Sequence, residues 1–194
     1  MVSNALALLD KDWYGVEVPG SPSWALWAED GNLLLRGSVA STAIALPEDE
    51  CGAFVEGLWE GDAVELFLLN PASGFYIEFN LAPRGAWWCC TFDAPRNRAA
   101  IPAPLPGVRA HAHFTENRWD SSLAIPIRAL PPALDFKPGT TKGNITFCLG
   151  SPQQFVTLAD LGGGAPDFHR PEKWIGVHEM MSHTESQSKD CTSV

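Results

Sequence analysis

The chain predicts an all-β fold, an antiparallel β-sandwich of the jelly-roll or immunoglobulin-like two-sheet kind. Three observations carry this. Short stretches alternate apolar and polar residues with a period of two. Seventeen Gly and sixteen Pro punctuate the chain often enough to favour short strands over long helices. No strongly amphipathic helix alternates with the strands, which disfavours a parallel α/β arrangement. A barrel is the second choice.

Residues 1–12 are read as a short helix or a loose arm. Strands are expected over 24–28 and 33–39, joined by a turn at Asp30-Gly31-Asn32. Residues 47–57 are loop-like and acidic. The middle of the chain reads most clearly. Over 62–69, Val64, Leu66 and Leu68 share one side, and Ala63, Glu65 and Phe67 the other. A turn at residues 70–74 leads to 75–81, where Phe75, Ile77, Phe79 and Leu81 face one way and Tyr76, Glu78 and Asn80 the other. These two segments make a hairpin with one apolar and one partly polar face. A third strand follows over 86–92.

A Pro-rich connection over 93–106 precedes a strand at 108–114, with Val108, Ala110, Ala112 and Phe114 inward and Arg109, His111 and His113 outward. Further strands are expected over 118–127 and 144–149. Beyond Gly150 the chain is read as irregular until 173–177. The domain reading is one β-sandwich over residues 1–181 and a flexible polar tail over 182–194.

Composition bounds the function. A 194-residue chain with 45% hydrophobic residues, eight Trp and ten Phe fills one real core. Its formal charge is −10 with no block of Lys or Arg, so nucleic acid and anionic membranes are poor partners. Five cysteines form no zinc-type pairing, and adjacent Cys89 and Cys90 point to opposite faces of a strand. Free, mostly buried thiols in a reducing compartment are the simpler reading. The N-terminal apolar run has no basic flank and is short for a signal peptide, so a cytoplasmic location is expected.

The segment Leu58-Trp59-Glu60-Gly61-Asp62-Ala63-Val64-Glu65-Leu66-Phe67-Leu68-Leu69 carries the functional signal. It sets a tryptophan on a turn and a carboxylate on the following strand, both near the rim of a sheet. An aromatic plate beside a hydrogen-bonding acid is suited to a sugar ring, whose C–H face stacks while its hydroxyls meet the carboxylate. Tyr76, Glu78 and Asn80 share the polar face with Glu65, and such a face can bind a polyol. The plainer readings are an apolar plug for Trp59 and ordinary solvent exposure for the polar face.

This segment resembles the signature of family 9 carbohydrate-binding modules and their DOMON-like relatives. Three more segments fit in order: Gly74-Phe75-Tyr76-Ile77-Glu78-Phe79-Asn80, then Trp119 with Leu123-Ala124-Ile125-Pro126-Ile127, then Asp167-Phe168-His169-Arg170-Pro171-Glu172-Lys173-Trp174. The resemblance spans residues 24–177. It implies a β-sandwich that binds the end of a mono- or oligosaccharide and performs no chemistry. Trp59 falls on the first of two aromatic plates and Glu65 on the hydroxyl-binding acid. Arg96 matches a family arginine. Phe168 stands where the sugar binders carry a second tryptophan, and it offers less area and no indole N–H. Ligand-binding residues are therefore expected at Trp59, Glu65, Tyr76, Glu78, Asn80, Arg96 and Phe168.

Two other function classes are open. One is a DOMON-like interaction or small-metabolite sensor domain without sugar binding. The other is a metal-dependent enzyme on the His111 and His113 face, which two imidazoles on one strand make feasible but which lacks an identified third ligand. Haem ligation through methionine is disfavoured, since Met180 and Met181 are read as lying beyond the fold. Glu65 and Glu78 invite comparison with a glycosidase pair, but nothing in the sequence signals burial or a cleft. No catalytic residue, metal or cofactor is expected, and a structural calcium stiffening a loop stays open. Asn144-Ile145-Thr146 matches a glycosylation sequon. The oligomeric state is not readable.

Overall fold

A computed structural model of the protein describes residues 5–186. Twelve strands are assigned in chain order: β1 Ala7–Leu8, β2 Ser23–Glu29, β3 Asn32–Val39, β4 Ala63–Leu69, β5 Tyr76–Leu81, β6 Trp87–Ala94, β7 Asn97–Arg98, β8 Arg109–Thr115, β9 Arg118–Pro126, β10 Lys142–Leu149, β11 Gln154–Thr157 and β12 Ile175–Gly176. A helix, α1, follows over Val177–Ser186. The smaller sheet has the order β1-β2-β3-β9-β8. The larger runs β11-β10-β4-β5-β6-β7, with β12 also pairing β10. Pairing between these strands is antiparallel throughout. The all-β sandwich expected from alternation is the fold.

Local chemistry sets the hairpins. Glu29 pairs with Asn32, leaving Asp30 and Gly31 as a two-residue loop. Both have positive φ, 48° and 74°, the backbone a type I′ turn needs to match strand twist. Between the sheets lies one apolar core. β4 contributes Val64, Leu66 and Leu68, β5 contributes Ile77, Phe79 and Leu81, and Trp24, Leu35, Trp119, Leu123 and Phe147 fill the space around them. Gly37 permits a close approach of the two sheets, for a Cβ there would sit 2.6 Å from a Val64 methyl.

A second apolar cluster lies on the outer face of the larger sheet, around Phe67, Tyr76, Trp88, Phe92 and Trp174. Loops preceding β4 and following β11 cover this face, so residues that strand parity alone would leave in water are buried. Cys89 joins the inner cluster and Cys90 the outer one, as opposite pleats require. Cys51, Cys89, Cys90 and Cys148 are free thiols, with Cys51 exposed.

Several expectations need correction. Residues 7–8 form an edge strand against β2, not a helix or an arm; residues 1–4 lie outside the described residues. The segment after Gly150 holds β11, paired to β10, which four residues of mixed polarity did not announce. Met180 is fully buried in the core on α1, which packs against β2 and β10. It is part of the fold, and of the expected tail only residues 187–194 lie outside the described residues. Phe114 is half exposed at the edge strand β8 rather than inward. Among the described residues, no helix is long and apolar enough to cross a membrane.

Candidate functional site

The floor of the site is fixed by register. Across β10, β4, β5 and β6 one row reads Thr146, Glu65, Asn80, Trp88. The adjoining row on β4, β5 and β6 reads Phe67, Glu78, Cys90. Glu65 and Glu78 are thus diagonal neighbours on one face, and they retain only 3% and 5% exposure. Thr146 Oγ1 donates to Glu65 Oε2 at 2.6 Å, and Asn80 Nδ2 donates to Glu78 Oε1 at 2.8 Å. The other oxygen of each carboxyl has weaker company. Cys148 Sγ lies 3.9 Å from Glu65 Oε1, and His169 Nε2 lies 3.7 Å from Glu78 Oε2.

Burial decides the charge state of this floor. It pushes Glu65 well above the ordinary carboxylate range, the Glu78 carboxyl adds to the effect, and the Thr146 bond only partly offsets it. Burial also raises Glu78, against the hydrogen bond from Asn80 and the fields of Arg98 and Arg96.

The walls are aromatic. Trp59 sits on a single 3-10 turn, Leu58–Glu60, and its ring meets Trp88 edge-on at 5.2 Å. Gln153 Nε2 donates to the Trp59 carbonyl at 2.6 Å. Asp62 anchors the following residues by accepting from the backbone N–H groups of Ile44 and Gly150. Phe168, which lines the same cavity, is 9% exposed and packed on Trp13 and Phe155 with centroids 6.2 and 6.0 Å away. Its loop is tied down: Arg170 donates to the carbonyls of Leu161 and Gly163 and lies over the Trp13 ring. Trp13 Nε1 donates to the Gly164 carbonyl.

At the rim, Arg96 Nη2 pairs with Asp167 Oδ1 at 2.8 Å, and Arg98 pairs with Glu56 while its guanidinium covers Trp88 at 5.4 Å. Burial works against ionisation of Asp167, but the His169 backbone N–H and Arg96 outweigh it and hold the carboxyl below its usual range. The Tyr76 hydroxyl accepts from the Arg96 backbone N–H at 3.1 Å and shares a second hydrogen bond with His169 Nδ1 at 2.7 Å. Burial, then Arg96, lowers His169 to about 4, so the ring is neutral at pH 7.

Together these groups enclose a cavity of about 280 Å³. This lies near the lower end for small-molecule sites and suits one ring better than a long chain. Trp59, Glu65, Glu78, Arg96 and Phe168 line it, as do Trp88, Phe155, Asp167 and His169. Tyr76 and Asn80 do not. Both are fully buried behind the lining, where Tyr76 orients His169 and the Arg96 backbone, and Asn80 orients Glu78. The reason is depth: their strand places them on the right face, but neighbours stand between them and the opening.

Nine lining residues had not been singled out from the sequence as ligand contacts, among them Trp88, Asp167, His169 and Arg98. Trp88 shares pleat parity with Cys90 and Phe92, which was a usable signal. Asp167 and His169 flank Phe168 within the closing segment already quoted. Arg98 follows two residues after Arg96, and no sequence rule separates it from a surface arginine.

The histidine face lies elsewhere. His111 and His113 are exposed on β8, an edge of the smaller sheet, so they do not extend the polar face of the larger one. Among the described residues, no three His, Cys, Asp or Glu side chains gather to hold a metal ion. The sequon is also committed: Asn144 is fully buried, with Nδ2 donating to Thr157 Oγ1 and Oδ1 accepting from the Ala159 N–H. The glutamate pair, in contrast, has the burial and the cleft that its sequence did not signal.

Three solved structures are similar to this chain. A candidate carbohydrate-binding protein from Bacteroides uniformis aligns with a TM-score of 0.68 at 18% identity, covering 87% of this chain and 83% of that one. A family 9 carbohydrate-binding module from Caldicellulosiruptor kristjanssonii in complex with cellotriose aligns with a TM-score of 0.52 at 10% identity, covering 89% and 77%. The module with glucose gives 0.51 at 10% identity, covering 89% and 80%. This chain has the fold of family 9 carbohydrate-binding modules. No protein-family model matches it, and no curated protein matches it in sequence. The likeness to the family 9 fold therefore rests on architecture.

Proposed function

We propose that this chain is a non-catalytic carbohydrate-binding domain that takes the end of a mono- or oligosaccharide into the outer-face cavity. The observation that carries this reading is one cavity with Trp59 and Phe168 on its walls and Glu65 and Glu78 at its base. The rings stack on C–H faces, and the carboxyls with Arg96 meet hydroxyls. The neighbours solved with cellotriose and with glucose support a sugar as partner.

Two alternatives have weaker support. The histidine face of β8 is exposed and apart from the cavity, which removes the basis for a metal-dependent enzyme there. The buried glutamates could suggest hydrolysis. An acid–base pair, however, needs environments that push its two pKa values apart, and burial here raises both. A sensor domain without sugar affinity would use the same cavity for a different small molecule.

Calorimetric titration with glucose, galactose, mannose and cellobiose tests the proposal, with Trp59→Ala and Phe168→Ala as variants. Stacking and ring burial predict a loss of about 10- to 100-fold for Trp59→Ala. Trp59 is partly exposed, so the variant keeps the core. Equal affinities in parent and variant, or no saccharide binding at all, would overturn the reading.

A further inference from the structure

We propose that the cavity is specific for a sugar bearing a protonated amine, whose ammonium seats between Glu65 Oε1 and Glu78 Oε2. This rests on the carbohydrate reading above and names the class of sugar.

The argument begins with bookkeeping of donors and acceptors. Thr146 and Asn80 each occupy one oxygen of one floor carboxyl with a neutral donor. The remaining oxygens, Glu65 Oε1 and Glu78 Oε2, have no protein donor closer than 3.7 Å. Both residues line the cavity. An ammonium carries three N–H donors, whereas a hydroxyl brings one. A ligand that satisfies two adjacent acceptors with a single atom is therefore the economical match.

Charge leads to the same place. The cations that line the cavity are Arg96 and Arg98, and their hydrogen bonds go to Asp167 and Glu56. The rim cations thus make their ion pairs at the rim, and Arg98 and Arg96 reach Glu78 only through their fields, without an ion pair to either floor carboxyl. Unpaired buried charge is costly, so such a pair either holds a proton or receives a cation. Among the described residues no three metal-ligating side chains gather there, and an N–H cation is the partner that fits two carboxyls.

Trp88 lines the same cavity and is 1% exposed. It lies on the Thr146–Glu65–Asn80–Trp88 row, two strands from Glu65. An apolar ring beside the two carboxyls meets the C–H groups of the sugar that carries the ammonium.

The test is calorimetry near pH 7 with three series: glucose, galactose and mannose, their 2-amino counterparts, and their N-acetylated counterparts. The expected result is at least one amino sugar binding about ten-fold or more tightly than both its parent and its N-acetyl form. Runs in buffers of different ionisation enthalpy should show net proton release for the amino sugar only. The proton leaves the floor pair, since the groups facing it are Thr146 and Cys148 on β10, Trp88 and Cys90 on β6, the neutral His169, and the rim pairs of Arg96 and Arg98. Glu65→Gln and Glu78→Gln should each bring the ratio of amino-sugar to parent-sugar affinity close to one. If parent hexoses bind as tightly as the amines, the inference falls while the carbohydrate reading stands. If no saccharide binds, both fall.

Discussion

The two faces of the larger sheet are cut from the same strands, yet they were built for different ends. On β4 and β5 the inward residues Val64, Leu66, Leu68, Ile77, Phe79 and Leu81 are apolar and fully buried. Their outward alternates include Glu65, Glu78 and Asn80, which are buried as well. Burying apolar surface stabilises the fold by roughly 25 cal/mol per Å². Burying a carboxyl or an amide costs free energy unless every polar atom is paired, and among these groups Asn80 Oδ1 is not. The outer face is thus maintained against stability, and what it gains instead is a shaped, low-dielectric cavity. Substitutions on the two faces should differ in sign.

Leu66→Ala is expected to have the largest effect. It opens a cavity in the inner core, where the residue is fully buried among both sheets. The loss should be about 2–5 kcal/mol in urea unfolding, seen as a lower midpoint at unchanged slope. A loss under about 1 kcal/mol would mean the inner face is not where the fold gets its stability.

On the outer face the sign reverses. Burial raises Glu65 and Glu78 above their unfolded values, so the folded chain holds more protons across that window. Stability therefore falls as pH rises through it. His169 opposes this lower down: burial depresses it from 6.5 to about 4, so it adds stability as pH climbs between those values and nothing beyond. Above pH 6.5 the carboxyls act unopposed, and the melting temperature should drop steadily into the alkaline range. Glu65→Gln keeps an acceptor for Thr146 and removes the charge. It should be more stable than the parent at alkaline pH by about 1–3 kcal/mol, with the gap closing in mild acid. A flat pH profile, or a variant that melts lower than the parent in alkali, would contradict the cost assigned to this face.

The comparison also shows what alternation can and cannot reveal. Pleat parity separated Leu66 from Glu65 and Ile77 from Glu78, because a strand offers only two sides. It could not say that the polar side is covered. That depends on where loops carrying Trp59 and Phe168 land, and they fold back from either end of the chain's middle. Hence Tyr76, Glu78 and Asn80 all read as ligand contacts, although only Glu78 lines the cavity and Tyr76 and Asn80 stand behind the lining. Strand β11 and helix α1 were missed for a related reason. Both are short and irregular in pattern, and their burial comes from contact with β10, and for α1 also with β2, rather than from a repeat in their own sequence. The histidines of β8 had the right parity, but parity carries no information about which sheet a strand joins.

The rim should respond least, which makes it a sharp check on the contrast between floor and walls. Arg96 is 63% exposed and its partner Asp167 34% exposed, so water takes over much of what the pair provides. Arg96→Ala should change unfolding stability by less than about 1 kcal/mol. The backbone N–H that donates to Tyr76 is retained, and its left-handed φ of 60° is no harder for alanine than for arginine. His169 therefore keeps its partner and the floor its shape. Sugar affinity, measured on the same sample, should fall about ten-fold through the lost charge-assisted hydrogen bond. A variant that loses several kcal/mol of stability would show that the rim arginine holds the loops over the sheet, and that its part in binding is indirect.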